Sequence, residues 1–153
     1  PVKLLFLFST GTGLAPFLSL IQDPEVYERF ETVVLVHGVR TVAELAYREF
    51  ITEELVQHEF LGDEIRQKLI YYPTVTREPF DNQGRLTDLV ETGKLFADID
   101  LPPLDPATDR AMICGSPAML ADTCAMLNRR GFRVSKHIGD PADYVIERAF
   151  VEK

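Results

Sequence analysis

The chain has 153 residues, of which 46% are hydrophobic, and it carries 16 basic against 24 acidic residues, a net charge of −8. This size predicts one globular domain, and a negative chain without a Lys/Arg block is not expected to bind nucleic acid or an anionic membrane surface. No apolar run reaches the roughly 20 residues of a membrane span. Cys114 and Cys124 do not form a C-x-x-C pair, and two cysteines in a domain of this size favour a reducing, cytoplasmic compartment.

The first predicted element is a strand that leads into a glycine turn. Residues 4–8 are all apolar, which is typical of a strand buried on both faces, and Gly11 and Gly13 follow. Apolar residues then recur at helical spacing, and Pro16 suits a first helical turn. Such a turn lets an anion approach backbone N–H groups. The pattern G-x-G-x-x-P lacks the third glycine of the dinucleotide fingerprint and no Gly-Lys-Ser/Thr follows, so a tight turn without a ligand is the alternative.

Strands and helices alternate along the rest of the chain. Further strands are predicted over residues 31–38, 68–76, 111–115 and 132–138. A first helix is predicted over 14–21, and Asp23 and Pro24 close it. Further helices are predicted from Thr41, which can cap the helix, to Val56, over 86–91 and over 116–127. This alternation predicts an α/β fold, a five-stranded parallel sheet with helices on both faces and a Rossmann-like ligand site at the carboxyl ends of the strands.

Three arginines fall on or just after predicted strand ends: Arg40, Arg77 and Arg85. A guanidinium group offers paired donors that suit a phosphate, so a cluster at one edge of the sheet predicts a local anion site on an acidic domain. Three unrelated surface arginines are the alternative. No metal site is predicted, because the histidines lack the spacing of metal ligands: His37, His58 and His137.

Six segments, in chain order, carry a resemblance to a known family: GTGLAPF at 11–17, HGVR at 37–40, VTRE at 75–78, GRLTDL at 84–89, ICGSPAM at 113–119 and AFVEK at 149–153. The chain resembles the NADP-binding half of bacterial ferredoxin-NADP reductases. In that family a preceding antiparallel barrel binds FAD, and its Arg-x-Tyr-Ser/Thr signature does not occur in this sequence. The resemblance implies that residues 1–153 are an NADP(H)-binding domain separated from an N-terminal FAD-binding barrel.

The resemblance also implies residue roles. The pyrophosphate and nicotinamide are expected beside the glycine turn: Thr10, Gly11, Thr12 and Gly13. The adenosine end is expected beside a second set of residues: Arg40, Thr76, Arg77 and Arg85. Of these, Thr76 and Arg77 are expected nearest the 2′-phosphate. Cys114 and Gly115 are expected to line the nicotinamide position, and Glu147 to lie near the hydride path. Ala149 stands where plant-type relatives have a flavin-covering aromatic, so Phe150 and the last residues are expected to contact FAD.

The activity implied by the resemblance is hydride transfer between NADPH and FAD, coupled to single-electron exchange with ferredoxin or flavodoxin. Without the flavin domain, the chain is expected to bind NADP weakly and to reduce nothing.

Two alternative functions stay open. One is the reductase component of an oxygenase, or a flavin reductase, which often uses NADH. The other is a non-enzymatic nucleotide-binding module. From the residues alone, Cys114 is either a packed core thiol or a pocket residue.

Overall fold

The computed structural model describes residues 3–135 and 143–147, and one parallel sheet forms its centre. The strands are β1 (Leu4–Thr10), β2 (Thr32–Val39), β3 (Leu69–Val75), β4 (Asp109–Cys114) and β5 (Tyr144–Ile146). Their order across the sheet is β3-β2-β1-β4-β5, and each neighbouring pair is parallel. The predicted five-stranded α/β sheet is therefore confirmed.

Helices cover both faces of the sheet, which explains the uninterrupted apolar run of β1. The helices are α1 (Ala15–Leu20), α2 (Pro24–Arg29), α3 (Gly62–Lys68), α4 (Leu86–Thr92), α5 (Lys94–Ile99) and α6 (Pro117–Arg129). Phe6 and Phe8 pack in a core with α4, α5 and α6, whereas Leu5 and Leu7 pack in a second core with α1, α2 and α3. None of the described helices is long and apolar enough to cross a membrane.

The central strand β1 marks the place where the chain changes direction across the sheet. At its carboxyl end Thr10 pairs with Gly38 of β2, and Ser9 pairs with Cys114 of β4. The chain runs from β1 outward to β3 on one side and then returns to β4 on the other side. Parallel sheets bind ligands in the crevice at such a switch point, so the carboxyl ends of β1, β2 and β4 are the expected site.

The prediction of the fifth strand over residues 132–138 is wrong in its described part. Residues 132–135 lie outside the strands, and Val134 forms only an isolated bridge with Tyr144. The strand beside β4 is β5, in which Tyr144 is buried and its hydroxyl donates to Asn128 Oδ1 over 2.8 Å. The contact of Tyr144 with α6 favours residues 144–146 as the strand beside β4 over the predicted residues 132–138. Residues 136–138, with His137, lie outside the described residues.

The predicted helix from Thr41 to Val56 is also wrong, because the segment is broken into three short pieces. A 3₁₀ turn spans Val42–Glu44, a π turn spans Phe50–Glu54 and a second 3₁₀ turn spans Leu55–Gln57. Thr41 and Glu44 form a capping box that closes one turn, and Leu45 then leaves the helical region at φ −83°, ψ 59°. The pattern also did not indicate α2, α3 and α5; Asp23 begins α2 by accepting from Glu25 N over 3.0 Å.

Candidate nucleotide-binding site

A groove of about 830 Å³ opens at the carboxyl ends of β1, β2 and β3, beside the amino end of α6. Its lining includes most of the residues singled out from the sequence: Thr10, Gly11, Thr12, Arg40, Thr76, Arg77, Arg85 and Gly115. The structure therefore brings all three arginines to one groove beside the glycine turn. That groove is the candidate functional site.

Arg40 and Arg77 are held side by side by backbone pairing that continues past the ends of β2 and β3. Thr76 N donates to Val39 O over 3.0 Å, and Arg77 N donates to Arg40 O over 2.9 Å. Both arginine side chains are exposed, and neither has an ion pair within 4.0 Å among the described residues. The two guanidinium groups, on residues that line the groove, are therefore available to an anion.

Arg85 reaches the groove because the loop after β3 folds back on that strand. Gly84 N donates to Val75 O over 3.1 Å, and Thr74 Oγ1 donates to Gly84 O over 2.7 Å. Arg85 then precedes α4, and its Nη2 lies 3.0 Å from Asp122 Oδ2 on α6. Both side chains of this pair are more than half exposed, so a phosphate can compete with Asp122 for the guanidinium group.

The glycines of the site have different physical tasks. Gly11 has φ +52°, the left-handed region, and lies exposed in the groove. Gly13 is buried, and a Cβ there would lie 2.5 Å from Cys114 O, so the glycine turn packs against the backbone of the turn after β4. A Cβ on Gly115 would lie 2.3 Å from Thr10 Oγ1. Gly13 and Gly115 thus permit the close approach of the two turns that border the groove.

Glu44 is an acidic residue in the groove lining that sequence reasoning missed. Its carboxylate accepts from Arg40 N and Thr41 N, each over 3.0 Å. These hydrogen bonds, led by the one from Thr41, lower the pKa of Glu44 and keep it ionised. The available signal was the spacing of three residues between Thr41 and Glu44, which is that of a capping box.

Asp122 is the second acidic residue of the lining that the sequence did not indicate. It follows Ala118 by four residues on α6, so the two share a helix face that borders the groove. A helix whose first turn faces the site could have revealed Asp122 by this spacing. The groove therefore contains three arginines against two carboxylates, although the whole chain is strongly acidic.

The residues expected at the nicotinamide end are placed differently. Cys114 is 1% exposed, packs in the core on the α1 side of the sheet and is not part of the groove lining. Glu147 follows β5 at the same edge of the sheet, where its N–H donates to Ile113 O over 2.8 Å. Ala149 and Phe150 lie outside the described residues. The structure thus brings the phosphate-binding candidates together and leaves Cys114 and Glu147 outside the groove.

His37 of β2 contacts the glycine turn through a hydrogen bond. Its Nε2 lies 2.9 Å from Gly11 O, and only 2% of the residue is exposed. Burial lowers the pKa of His37 below its ordinary value of 6.5, so the imidazole is neutral at neutral pH. Among residues 3–135 and 143–147, no group of three or more His, Cys, Asp and Glu side chains is arranged to bind a metal ion.

Comparison with known proteins identifies the family. Residues 7–125 match the family described as the oxidoreductase NAD-binding domain, and this match covers more than half of the chain. The chain belongs to this family. In this oxidoreductase NAD-binding domain Gly13 permits close packing of the glycine turn against the backbone of the turn after β4.

Individual relatives agree with the resemblance seen in the sequence. The domain is 67% identical over its 153 residues to the ferredoxin-NADP reductase of Azotobacter vinelandii and 65% identical to that of Pseudomonas aeruginosa. It spans 59% of the length of each of these proteins. A crystal structure of a ferredoxin NADP⁺ reductase from Neisseria gonorrhoeae, with bound FAD and NADP, superposes with a TM-score of 0.81 at 30% identity, over 97% of this chain and 57% of that one. The resemblance to bacterial ferredoxin-NADP reductases is confirmed.

Proposed function

We propose that residues 1–153 are the NADP(H)-binding domain of a flavin-dependent ferredoxin or flavodoxin NADP reductase. One observation carries the proposal: Arg40 and Arg77 face a groove beside the glycine turn without an ion pair among the described residues. A dianionic phosphate monoester satisfies both guanidinium groups, and NADP differs from NAD by such a group on the adenosine ribose.

The adenosine end of NADP is proposed to lie against the arginine side of the groove. Thr76 and Arg77 are assigned to the 2′-phosphate, with Arg40 and Arg85 beside them. NAD-binding domains commonly place a carboxylate near the end of β2 to accept from the ribose 2′-hydroxyl. Here that position holds Arg40, and the nearby Glu44 carboxylate already accepts two backbone N–H groups. This arrangement supports NADP over NAD.

The pyrophosphate is proposed to lie against Thr10, Gly11 and Thr12, which border the groove. Gly13 serves by its close packing rather than by contact with a ligand, because it is buried. The amino end of α6, a helix of 13 residues, opens on the same groove and adds partial positive charge. These donors support binding of the dianionic pyrophosphate at this place.

The nicotinamide end is proposed to lie near Cys114, Gly115 and Glu147 at the carboxyl ends of β4 and β5. The bound cofactors, NADPH and FAD, supply the hydride chemistry, and this chain holds and orients the nicotinamide. The thiol of Cys114 acts by shape and polarity, since hydride transfer needs no covalent attack. Contact of Ala149 and Phe150 with FAD belongs to the same proposal and concerns residues outside those described.

The wider proposal concerns the partners and the location of the protein. Relatives named flavodoxin/ferredoxin-NADP reductase, such as that of Escherichia coli at 35% identity, support a small electron-transfer protein as partner. Because this chain carries a net charge of −8, an acidic partner is expected to find its basic contacts mainly on the flavin domain. Cys114 and Cys124 form no disulfide, which supports the cytoplasm as the compartment.

Calorimetric titration of the 153-residue chain with NADP⁺ and NAD⁺ tests the proposal. We expect NADP⁺ to bind at least about tenfold more tightly, since each additional charge-assisted hydrogen bond contributes on the order of 1.5–3 kcal/mol. Joined to its flavin domain, the protein is expected to reduce a dye faster with NADPH than with NADH. Equal affinity for NADP⁺ and NAD⁺ contradicts the proposal and favours an NADH-dependent reductase.

A further inference from the structure

His37 is a buried polar residue of β2 that directly follows the apolar residues Val33 to Val36. Its Nε2 lies 2.9 Å from Gly11 O. Because a carbonyl oxygen only accepts, Nε2 carries the hydrogen and Nδ1 is an acceptor. Nδ1 is buried and has no hydrogen-bond partner among the described residues. The imidazole thus forms one hydrogen bond, and that bond goes to the glycine turn.

Packing alone does not account for an imidazole at this position. A buried nitrogen without a partner costs free energy that an apolar side chain of similar size avoids. The Nε2 bond to Gly11 is the compensating interaction, and it crosses from β2 to the turn after β1. The residue is therefore best explained by what it does to the glycine turn.

The bond controls the direction of one peptide unit. In a trans peptide the C=O and the following N–H point in opposite directions, so fixing Gly11 O fixes the N–H of Thr12. Side chains alternate along β2: Val36 packs in the core with α4 and α6, and His37 therefore faces the α1 side. Because Gly11 O contacts His37 on that side, the Thr12 N–H is expected to point the opposite way, toward the groove beside α4 and α6.

Two further features leave this N–H available. Gly11 and Thr12 are the first residues of a 3₁₀ turn, and the first N–H groups of a helical turn have no partner within it. Both residues are exposed and line the groove. Gly11 adopts φ +52°, which glycine adopts without a steric penalty, so contacts with its surroundings decide the orientation of the peptide that follows.

We propose that His37 is a positioning residue that orients the Gly11–Thr12 peptide so that its N–H donates to the pyrophosphate of a bound dinucleotide. The inference rests on the proposed function, because it takes NADP(H) as the ligand of the groove. It adds a residue that touches no ligand and acts through the glycine turn. The arginines bind one end of the ligand, and His37 prepares the backbone for the phosphates at its centre.

The test uses two ligands that share the 2′-phosphate and differ in the pyrophosphate. The 153-residue chain and its His37→Leu variant are titrated with NADP⁺ and with 2′-AMP, which lacks the pyrophosphate. We expect His37→Leu to weaken NADP⁺ binding by about tenfold and to change 2′-AMP binding by less than about twofold, as for loss of one hydrogen bond to a charged group. His37→Gln, whose amide nitrogen can reach the position of Nε2, is expected to recover most of the NADP⁺ affinity.

His37→Asn is the matched control, because its amide is equally polar but too short to reach Gly11 O. It should bind NADP⁺ as weakly as His37→Leu, and it keeps the test decisive if the leucine variant does not fold. Unchanged NADP⁺ affinity in the Asn variant, or equal loss for NADP⁺ and 2′-AMP, overturns the inference. Failure of the unmodified chain to bind 2′-AMP instead overturns the proposed function, so the two failures are distinguishable.

Discussion

Arg77→Ala tests the assignment of the 2′-phosphate most directly, because the change removes a guanidinium group and little else. The Arg77 side chain is exposed and has no ion pair among the described residues, so we expect the free energy of unfolding to change by less than about 0.5 kcal/mol. The backbone N–H that donates to Arg40 O over 2.9 Å is still present in alanine. The variant therefore retains the pairing that holds Arg40 in place.

The expected loss of affinity follows from the strength of charge-assisted hydrogen bonds. One such bond between a guanidinium group and a phosphate contributes about 1.5–3 kcal/mol, which is about 10- to 150-fold in Kd. Calorimetric titration with 2′-AMP and 5′-AMP separates the phosphate positions. Arg77→Ala is expected to weaken 2′-AMP binding by this factor and 5′-AMP binding by less than about twofold, since charge effects beyond direct contact are screened by salt.

Two variants make the result specific. Arg77→Lys keeps the positive charge but loses the paired donors, so its affinity for 2′-AMP should lie between those of the unmodified chain and Arg77→Ala. Arg29→Ala removes the same charge at the end of α2, where Arg29 lines a separate cavity away from the groove, and it should leave both ligands unaffected. Equal loss for 2′-AMP and 5′-AMP in Arg77→Ala, or the same loss in Arg29→Ala, would refute the assignment.

Three further predictions concern the same groove. Gly115→Ala places a Cβ 2.3 Å from Thr10 Oγ1 and should lower both Tm and NADP⁺ affinity, whereas Gly38→Ala, with its nearest atom at 3.5 Å, should keep the Tm of the unmodified chain. Because folding lowers the pKa of His37, the unfolded chain binds more protons as the pH falls through 6.5, so stability decreases there. Melting curves between about pH 7.5 and 5.5 should show a smaller decrease for His37→Gln, and an identical decrease contradicts the pKa direction. Asp122→Asn frees its arginine partner and removes a negative charge, so 2′-AMP should bind about two- to fivefold more tightly, and weaker binding contradicts the competition described for this exposed pair.

The sequence predicts the strands that are buried on both faces and the residues at their carboxyl ends. Residues 4–8 and 33–36 are continuous apolar runs because helices cover both sides of β1 and β2. Once the sheet is taken as parallel, Arg40 and Arg77 fall at neighbouring strand ends, and the structure places them on one groove. This part of the site follows from the period of the pattern and from sheet geometry alone.

The remaining parts depend on contacts that no local pattern records. The strand β5 has only three residues, and it is selected by burial of Tyr144 and its hydrogen bond to Asn128, 16 residues earlier. Asp122 enters the groove only because α6 starts beside the glycine turn. The role proposed for His37 depends on the hydrogen bond between its Nε2 and Gly11 O. This is a tertiary contact between residues that are 26 positions apart in sequence.

The charges of the chain and of the groove have opposite signs, and this difference decides how selectivity arises. A net charge of −8 repels an anionic ligand at long range, but in physiological salt such fields decay over roughly 8–10 Å. Attraction is therefore confined to direct contact in the groove. There the backbone bonds from Thr76 to Val39 and from Arg77 to Arg40 hold the backbones of two arginines side by side, and neither arginine has an ion pair among the described residues. Under the proposed function, a dianionic phosphate accepts from both guanidinium groups, whereas the uncharged ribose hydroxyl of NAD brings no charge to pair with them. We therefore expect discrimination between the two dinucleotides to depend on an arrangement that the strand pairing prepares in advance.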